Sequence, residues 1–177
     1  MTTVAGLEIP STSPVFLGVV GFHVAVALVC VVAGALAMRA GPGRHRAFGS
    51  IYVWCLLAVF LSATGLSLVR WSHDYPLFVL GALAFAAALV GRTARRRRRR
   101  GWIRVHISAM GLSYVLLLTA FYVDNGRNLP LWRELPAIAF WLGPAIVGAP
   151  LIARAVLTHP AVRRVAAVER GREGVGG

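Results

Sequence analysis

Six consecutive arginines, Arg95 to Arg100, stand between two apolar runs and constrain this chain more than any other feature. Arginine stays ionised at any working pH, so the block cannot enter hydrocarbon and must lie in water or among headgroups. It ties one connection to one side of a membrane. Directly behind it a long apolar run opens with His106, Met110 and Tyr114 at i, i+4, i+8, which places all three on one helix face. An anchor for topology and a candidate ligand face therefore adjoin.

The composition agrees with a membrane protein. Of 177 residues 58% are hydrophobic and only 14% charged, with a mean hydropathy of +0.70, against roughly a quarter charged in soluble domains. A formal charge of +13 would suggest a nucleic-acid partner in a soluble chain. Here the charge first serves orientation. No aromatic residues interleave with Arg95 to Arg100, so nucleic acid is not expected; the lipid bilayer is, with anionic headgroups at that block. Cys30 and Cys55 both lie in apolar runs, where packing is the ordinary role of a free thiol.

Residues 1–13 carry no Lys or Arg and so lack the basic region of a cleavable signal, which leaves the first apolar run in the mature protein. Ser13-Pro14 reads as N-cap and first helical residue, and the helix runs to about Met38, long enough to cross a core of ~30 Å. Gly41-Pro42-Gly43 ends it. A second span covers about Ala47–Val69, with Ser72-His73-Asp74 as the connection and Asp74 a cap ahead of Pro76. The third, about Tyr75–Thr93, carries Ala84/Ala88 and Ala87/Gly91 at four-residue spacing and belongs inside the bundle. The fourth covers about Trp102–Val123. Leu129-Pro130-Leu131-Trp132 reads as an interfacial segment, and the fifth span, about Pro136–Leu157, should kink at Pro144 and Pro150. The expected organisation is an outer segment at 1–13, an all-α bundle of five transmembrane helices at 14–157, and a basic, partly disordered cytoplasmic tail at 158–177.

Arginine counting orients the bundle. The first and third connections together with the end of the last helix and tail hold 16 arginines, and the opposite side holds Arg70, Arg127 and Arg133. The excess places the N-terminus outside and the C-terminus in the cytoplasm, and makes Trp71, Tyr75, Tyr122 and Trp132 an outer aromatic belt. No internal repeat is evident.

Depth then sorts the histidines. His45, just before the second span, and His106, just inside the fourth, form an inner pair; His23 and His73 form a looser outer pair, and His159 lies in the tail. Histidines at matching depth on two helices are how bundles hold haem or a metal. His45 shares a face with Gly49 and Tyr52, where glycine leaves room for a flat group. Met110 adds a soft donor one turn after His106. His23 aligns with Ala27, Cys30 and Gly34, a face with little bulk. Plainer readings stand beside these: His45 between two arginines suits an interface, His106 and Met110 suit helix capping and packing, and His23 suits a hydrogen bond across helices. No nucleophile elbow, P-loop, HExxH, CxxC or dinucleotide fingerprint is present, which leaves hydrolase, kinase, zinc-protease and NAD-enzyme readings without support. Acidic residues lie at the span ends, against a carboxylate-coupled transporter.

His45-Arg46-Ala47-Phe48-Gly49-Ser50-Ile51-Tyr52 fits HRxxGxxY, and His106 to Met110 with Ser113-Tyr114 fits HxxxMxxSY. With a histidine in the first helix, His23, the chain resembles a family of small bacterial predicted multi-pass membrane proteins classed as a domain of unknown function. The resemblance covers roughly Phe16 to Tyr122 and implies fold and location, the bacterial cytoplasmic (inner) membrane. The motif positions are His45, Arg46, Gly49, Tyr52, His106, Met110, Ser113 and Tyr114.

The leading expectation from the residues is a redox cofactor, b-type haem or else a metal, between the second and fourth helices. His45 and His106 are the axial or metal ligands. Met110, His23, Gly49, Tyr52 and Tyr114 are further cofactor-binding candidates, with Arg44, Arg46 and Arg104 for propionates. An enzyme on this pattern would be a membrane electron-transfer oxidoreductase. The rivals are a non-catalytic subunit or assembly factor with a membrane-protein partner or a second copy, and a small-solute transporter with a broken fifth helix beside a cavity.

Overall fold

The structure, a computed structural model, describes residues 2–4, 7–9, 13–69, 71–130, 132–160 and 162. Five helices dominate: α1 (Pro14–Arg39), α2 (Pro42–Val69), α3 (Trp71–Arg97), α4 (Trp102–Asn125) and α5 (Ala137–Thr158). Each is long and apolar enough to cross a membrane. Ahead of them β1 (Thr2–Val4) pairs antiparallel with β2 (Leu7–Ile9), and one 3-10 turn, Gly126–Asn128, follows α4. Apart from that hairpin, the 3-10 turn and the connections, the described residues are helical, as expected. The 158–177 tail falls almost wholly outside the described residues.

Proline and arginine shift the helix ends from their expected places. Pro14 opens α1, but Ser13 caps it through its carbonyl, which accepts Leu17 N–H at 3.0 Å, and without a side-chain capping bond. Gly41-Pro42-Gly43 is only half a stop signal. Pro42 is the first residue of α2, because a missing N–H and a fixed φ cost nothing at a helix start. His45 therefore sits in the first turn of α2 rather than before it. Likewise α3 starts at Trp71, which turns Ser72, His73 and Asp74 from a loop into the first helical turn, where an acidic residue faces the positive end of the helix dipole.

At the other end α3 continues through Arg95, Arg96 and Arg97, so half of the arginine block is helical. Cations suit a helix C-terminus. The connection to α4 is then four residues, Arg98 to Gly101, and it reverses with two left-handed residues, Arg98 (φ 46°) and Gly101 (φ 73°). A Cβ at Gly101 would meet nothing within 4 Å, so Gly101→Ala tests the backbone term alone. Its expected cost is about 1 kcal/mol, read as a lower unfolding midpoint.

α5 runs unbroken through Pro144 and Pro150. Each proline forgoes one helical hydrogen bond, which membrane helices tolerate. The broken fifth helix on which the transporter reading leaned is absent.

The chain divides into two compact units, residues 1–82 and 83–177, with the boundary inside α3. In the first, α1 and α2 pack antiparallel around Cys30, Ala33, Gly34 and Ala37 from one side and Tyr52, Val53, Leu56 and Val59 from the other. The start of α3 joins them through Phe78, whose ring lies 5.8 Å from that of Phe60 and 5.5 Å from that of Trp71.

The second unit is built on glycines. A Cβ on Gly111 would lie 2.6 Å from Ile152 Cγ1, and one on Gly148 would lie 2.3 Å from Val115 Cγ2. Two positions one turn apart on α4 thus meet two positions one turn apart on α5, with glycine and branched residue alternating between the helices. Gly126 receives the buried Phe140 ring in the same way. Small residues that let backbones approach closely are what associates helices in lipid, where hydrophobicity no longer drives packing. Outward, the helices present large apolar side chains: Leu28 is 61% exposed, Trp54 64%, Ile146 69% and Leu157 73%. So much exposed apolar surface suits hydrocarbon and not water.

Candidate functional site

Three helix-borne histidines are held by the same ring nitrogen. His45 Nδ1 lies 2.8 Å from the Ala37 carbonyl oxygen, and His106 Nδ1 lies 2.9 Å from that of Gly91. A carbonyl only accepts, so each Nδ1 carries the proton and donates. His23 Nδ1 is 2.8 Å from Ser62 Oγ, which itself donates to the Ala58 carbonyl at 2.8 Å. When the His45 and His106 rings are neutral, Nε2 is then the basic nitrogen. Locking the tautomer through Nδ1–H to a backbone oxygen is how proteins orient an imidazole that presents Nε2 to a metal.

Each bond follows from local sequence. Ala37 lies in the last turn of α1, where carbonyls have run out of helical donors, and the two-residue turn after it returns the chain in time for His45 to reach back. Gly91 is interior to α3 and lacks a side chain, so the α4 backbone and the His106 ring come close to its carbonyl. The same notch takes the Met110 thioether: a Cβ on Gly91 would be 2.8 Å from Met110 Cγ and 2.9 Å from Sδ. His106 and Met110 do share a face, as expected, and that face rests on Gly91.

The remaining expected residues take distinct places. Tyr52 is 2% exposed, and its backbone carbonyl accepts the Cys30 thiol at 3.5 Å. Gly49 borders open space, since a Cβ there would meet nothing within 4 Å, which suits a flat group beside His45. Arg44, Arg46 and Arg104 are exposed, Tyr114 is half-buried and Ser113 fully buried. His23, Cys30 and Ala37 recur every seven residues on α1, and each meets a polar group of α2: Ser62, the Tyr52 carbonyl and His45. These three polar contacts therefore line one seam. Among the described residues no three His, Cys, Asp or Glu side chains converge as a metal-ion site.

Sequence reasoning found the histidines but not Gly91, Ala37 or Ser62. Gly91 was visible only as a packing residue, and a backbone acceptor has no sequence signature. No protein-family model, curated protein or solved structure matches the chain. The reading of function therefore rests on the geometry.

Proposed function

We propose that this chain is a five-span protein of the bacterial cytoplasmic membrane, N-terminus outside and arginine-rich connections in the cytoplasm, that carries a b-type haem on an oriented imidazole. The arginine asymmetry and the exposed apolar faces support the first part. The observation that carries the second is the donation from Nδ1 to a backbone carbonyl at both His45 and His106, leaving Nε2 as the basic atom. A haem brings four nitrogens of its own and asks the chain for one or two imidazoles, whereas a bare ion asks for three or four side chains. Single oriented histidines fit the haem better. The group would supply one-electron redox chemistry; the chain binds it, orders the imidazole and offers Arg44, Arg46 or Arg104 to propionates.

The same hydrogen bonds favour one rival, a non-catalytic subunit in which His45 and His106 staple each helix start to the preceding helix. Asparagine separates the two. Its amide nitrogen occupies roughly the position of Nδ1 and keeps the bond to Ala37 or Gly91, but it offers no imidazole nitrogen. Under the haem reading the purified chain shows a Soret band and iron, and His45→Asn or His106→Asn removes them while the unfolding midpoint stays near wild type. Wild-type protein without band or iron would retire the haem reading, and partner co-purification that survives both substitutions would favour the staple.

A further inference from the structure

The register of α1 against α2 sets two cysteines opposite each other. His23 of α1 stands 2.8 Å from Ser62 of α2. In an antiparallel pair, two turns forward along one helix lie opposite two turns back along the other. Seven residues forward from His23 is Cys30, and seven back from Ser62 is Cys55. Cys55 therefore lies on the stripe of α2 that faces α1.

The hydrogen bonds bring both sulfurs to one atom. Cys30 Sγ reaches the α2 backbone itself, 3.5 Å from the Tyr52 carbonyl oxygen. Cys55 follows Tyr52 by three residues, and Ser62 shows the reach of a γ atom at that spacing: its Oγ lies 3.1 Å from the Val59 carbonyl oxygen, three residues back. In the same rotamer Cys55 Sγ comes to the Tyr52 oxygen from its own helix. Rotation about χ1 then turns the two sulfurs from that shared oxygen toward each other. Both are free thiols, Cys30 fully buried and Cys55 half-buried.

We propose that Cys30 and Cys55 are one oxidation site, a dithiol that closes to a disulfide across the α1–α2 seam when a hydroperoxide dissolved in the acyl chains attacks it. The more accessible sulfur reacts first. Cys55 takes the terminal oxygen of ROOH, the O–O bond breaks, and the thiol proton leaves with the alkoxide as ROH. Cys30 then attacks the Cys55 sulfenic acid: the S–S bond forms, the S–O bond breaks, and the Cys30 proton leaves with hydroxide as water. Cys55 lies about 20 Å from either end of α2, a depth that charged oxidants and the charged glutathione thiol do not reach. A disulfide is neutral and suits that depth, whereas a monovalent metal ion held by two thiolates would leave a net charge in hydrocarbon. The ring that the bond closes contains Ala37 and His45, so the cross-link also fixes the register in which His45 meets the Ala37 carbonyl. The proposal does not rest on the haem reading.

The test treats the full chain in nanodiscs with cumene hydroperoxide and follows intact mass and free thiol. The wild type should lose two hydrogens as a monomer, regain them with dithiothreitol, and unfold at a higher midpoint in the oxidised form. In Cys30→Ala the reaction should stop at a Cys55 sulfenic acid that dimedone traps; in Cys55→Ala thiol loss should be at least about tenfold slower, because the remaining sulfur is the buried one. A wild type that keeps both thiols would overturn the proposal, as would one that gains oxygen without closing the ring or that links only copy to copy. Equal rates of thiol loss in the two variants would overturn the assignment of Cys55 as the sulfur attacked first.

Discussion

Gly148→Val is expected to separate α5 from α4 and to cost about 3 kcal/mol or more of unfolding free energy. A Cβ alone would lie 2.3 Å from Val115 Cγ2, and valine adds two further carbons. Val115 cannot swing aside, because a β-branched side chain in a helix has one strongly preferred rotamer. Nor can the helices simply part. Gly111 against Ile152, one turn along, requires the same close approach, and in lipid that packing is the main attraction between them. Exchanging the partners, Gly148→Val with Val115→Gly, moves the bulk across the seam and should restore much of the loss. Unfolding midpoints of the wild type, the single variant and the exchange decide it. A single variant as stable as the wild type would mean that the α4–α5 seam is not built on this contact.

The five helices were legible because membrane spans announce themselves by length and hydropathy, and every one of the five is present. Their ends were less so, for a reason common to the misplaced ones. Gly41-Pro42-Gly43 stops one helix and starts the next, and proline at a first helical position looks the same in sequence as proline in a loop. Arginines read as a water-exposed loop, yet Arg95 to Arg97 are helical because a long side chain can put its charge in water from a helix that is still close to hydrocarbon. The shared face of His106 and Met110 was legible from spacing. What holds His106 was not, since the partner is a carbonyl fifteen residues back, brought near by a turn whose geometry depends on left-handed Arg98 and Gly101. His45 differs only in that its acceptor is eight residues back, at a helix end where an orphan carbonyl can be anticipated.

Gly91→Ala is expected to loosen His106 more than it destabilises the fold. The added carbon meets three atoms of Met110, and they do not yield equally. Cγ at 2.8 Å and Sδ at 2.9 Å belong to a flexible side chain that can rotate away, but the backbone nitrogen at 3.3 Å can give only if α4 itself retreats by a few tenths of an ångström. The cost of that crowding, about 1–3 kcal/mol, is offset by about 1 kcal/mol because alanine is the better helix former. The net loss of stability is then about 1 kcal/mol. The bond from His106 Nδ1 has no such compensation. At 2.9 Å it is close to ideal, and a retreat of α4 lengthens it directly, since His106 is one turn from Met110 on the same face. A metal-binding imidazole that loses its orienting partner loses about 10–100-fold in affinity. If the chain carries haem on His106, Gly91→Ala should therefore weaken haem retention by that factor while leaving most of the stability. The ring nitrogen shift of His106 by NMR, which reports the bond without any cofactor, is the independent reading. An unchanged shift in Gly91→Ala would show that the carbonyl and the ring move together, and the orienting role of Gly91 would have to be given up.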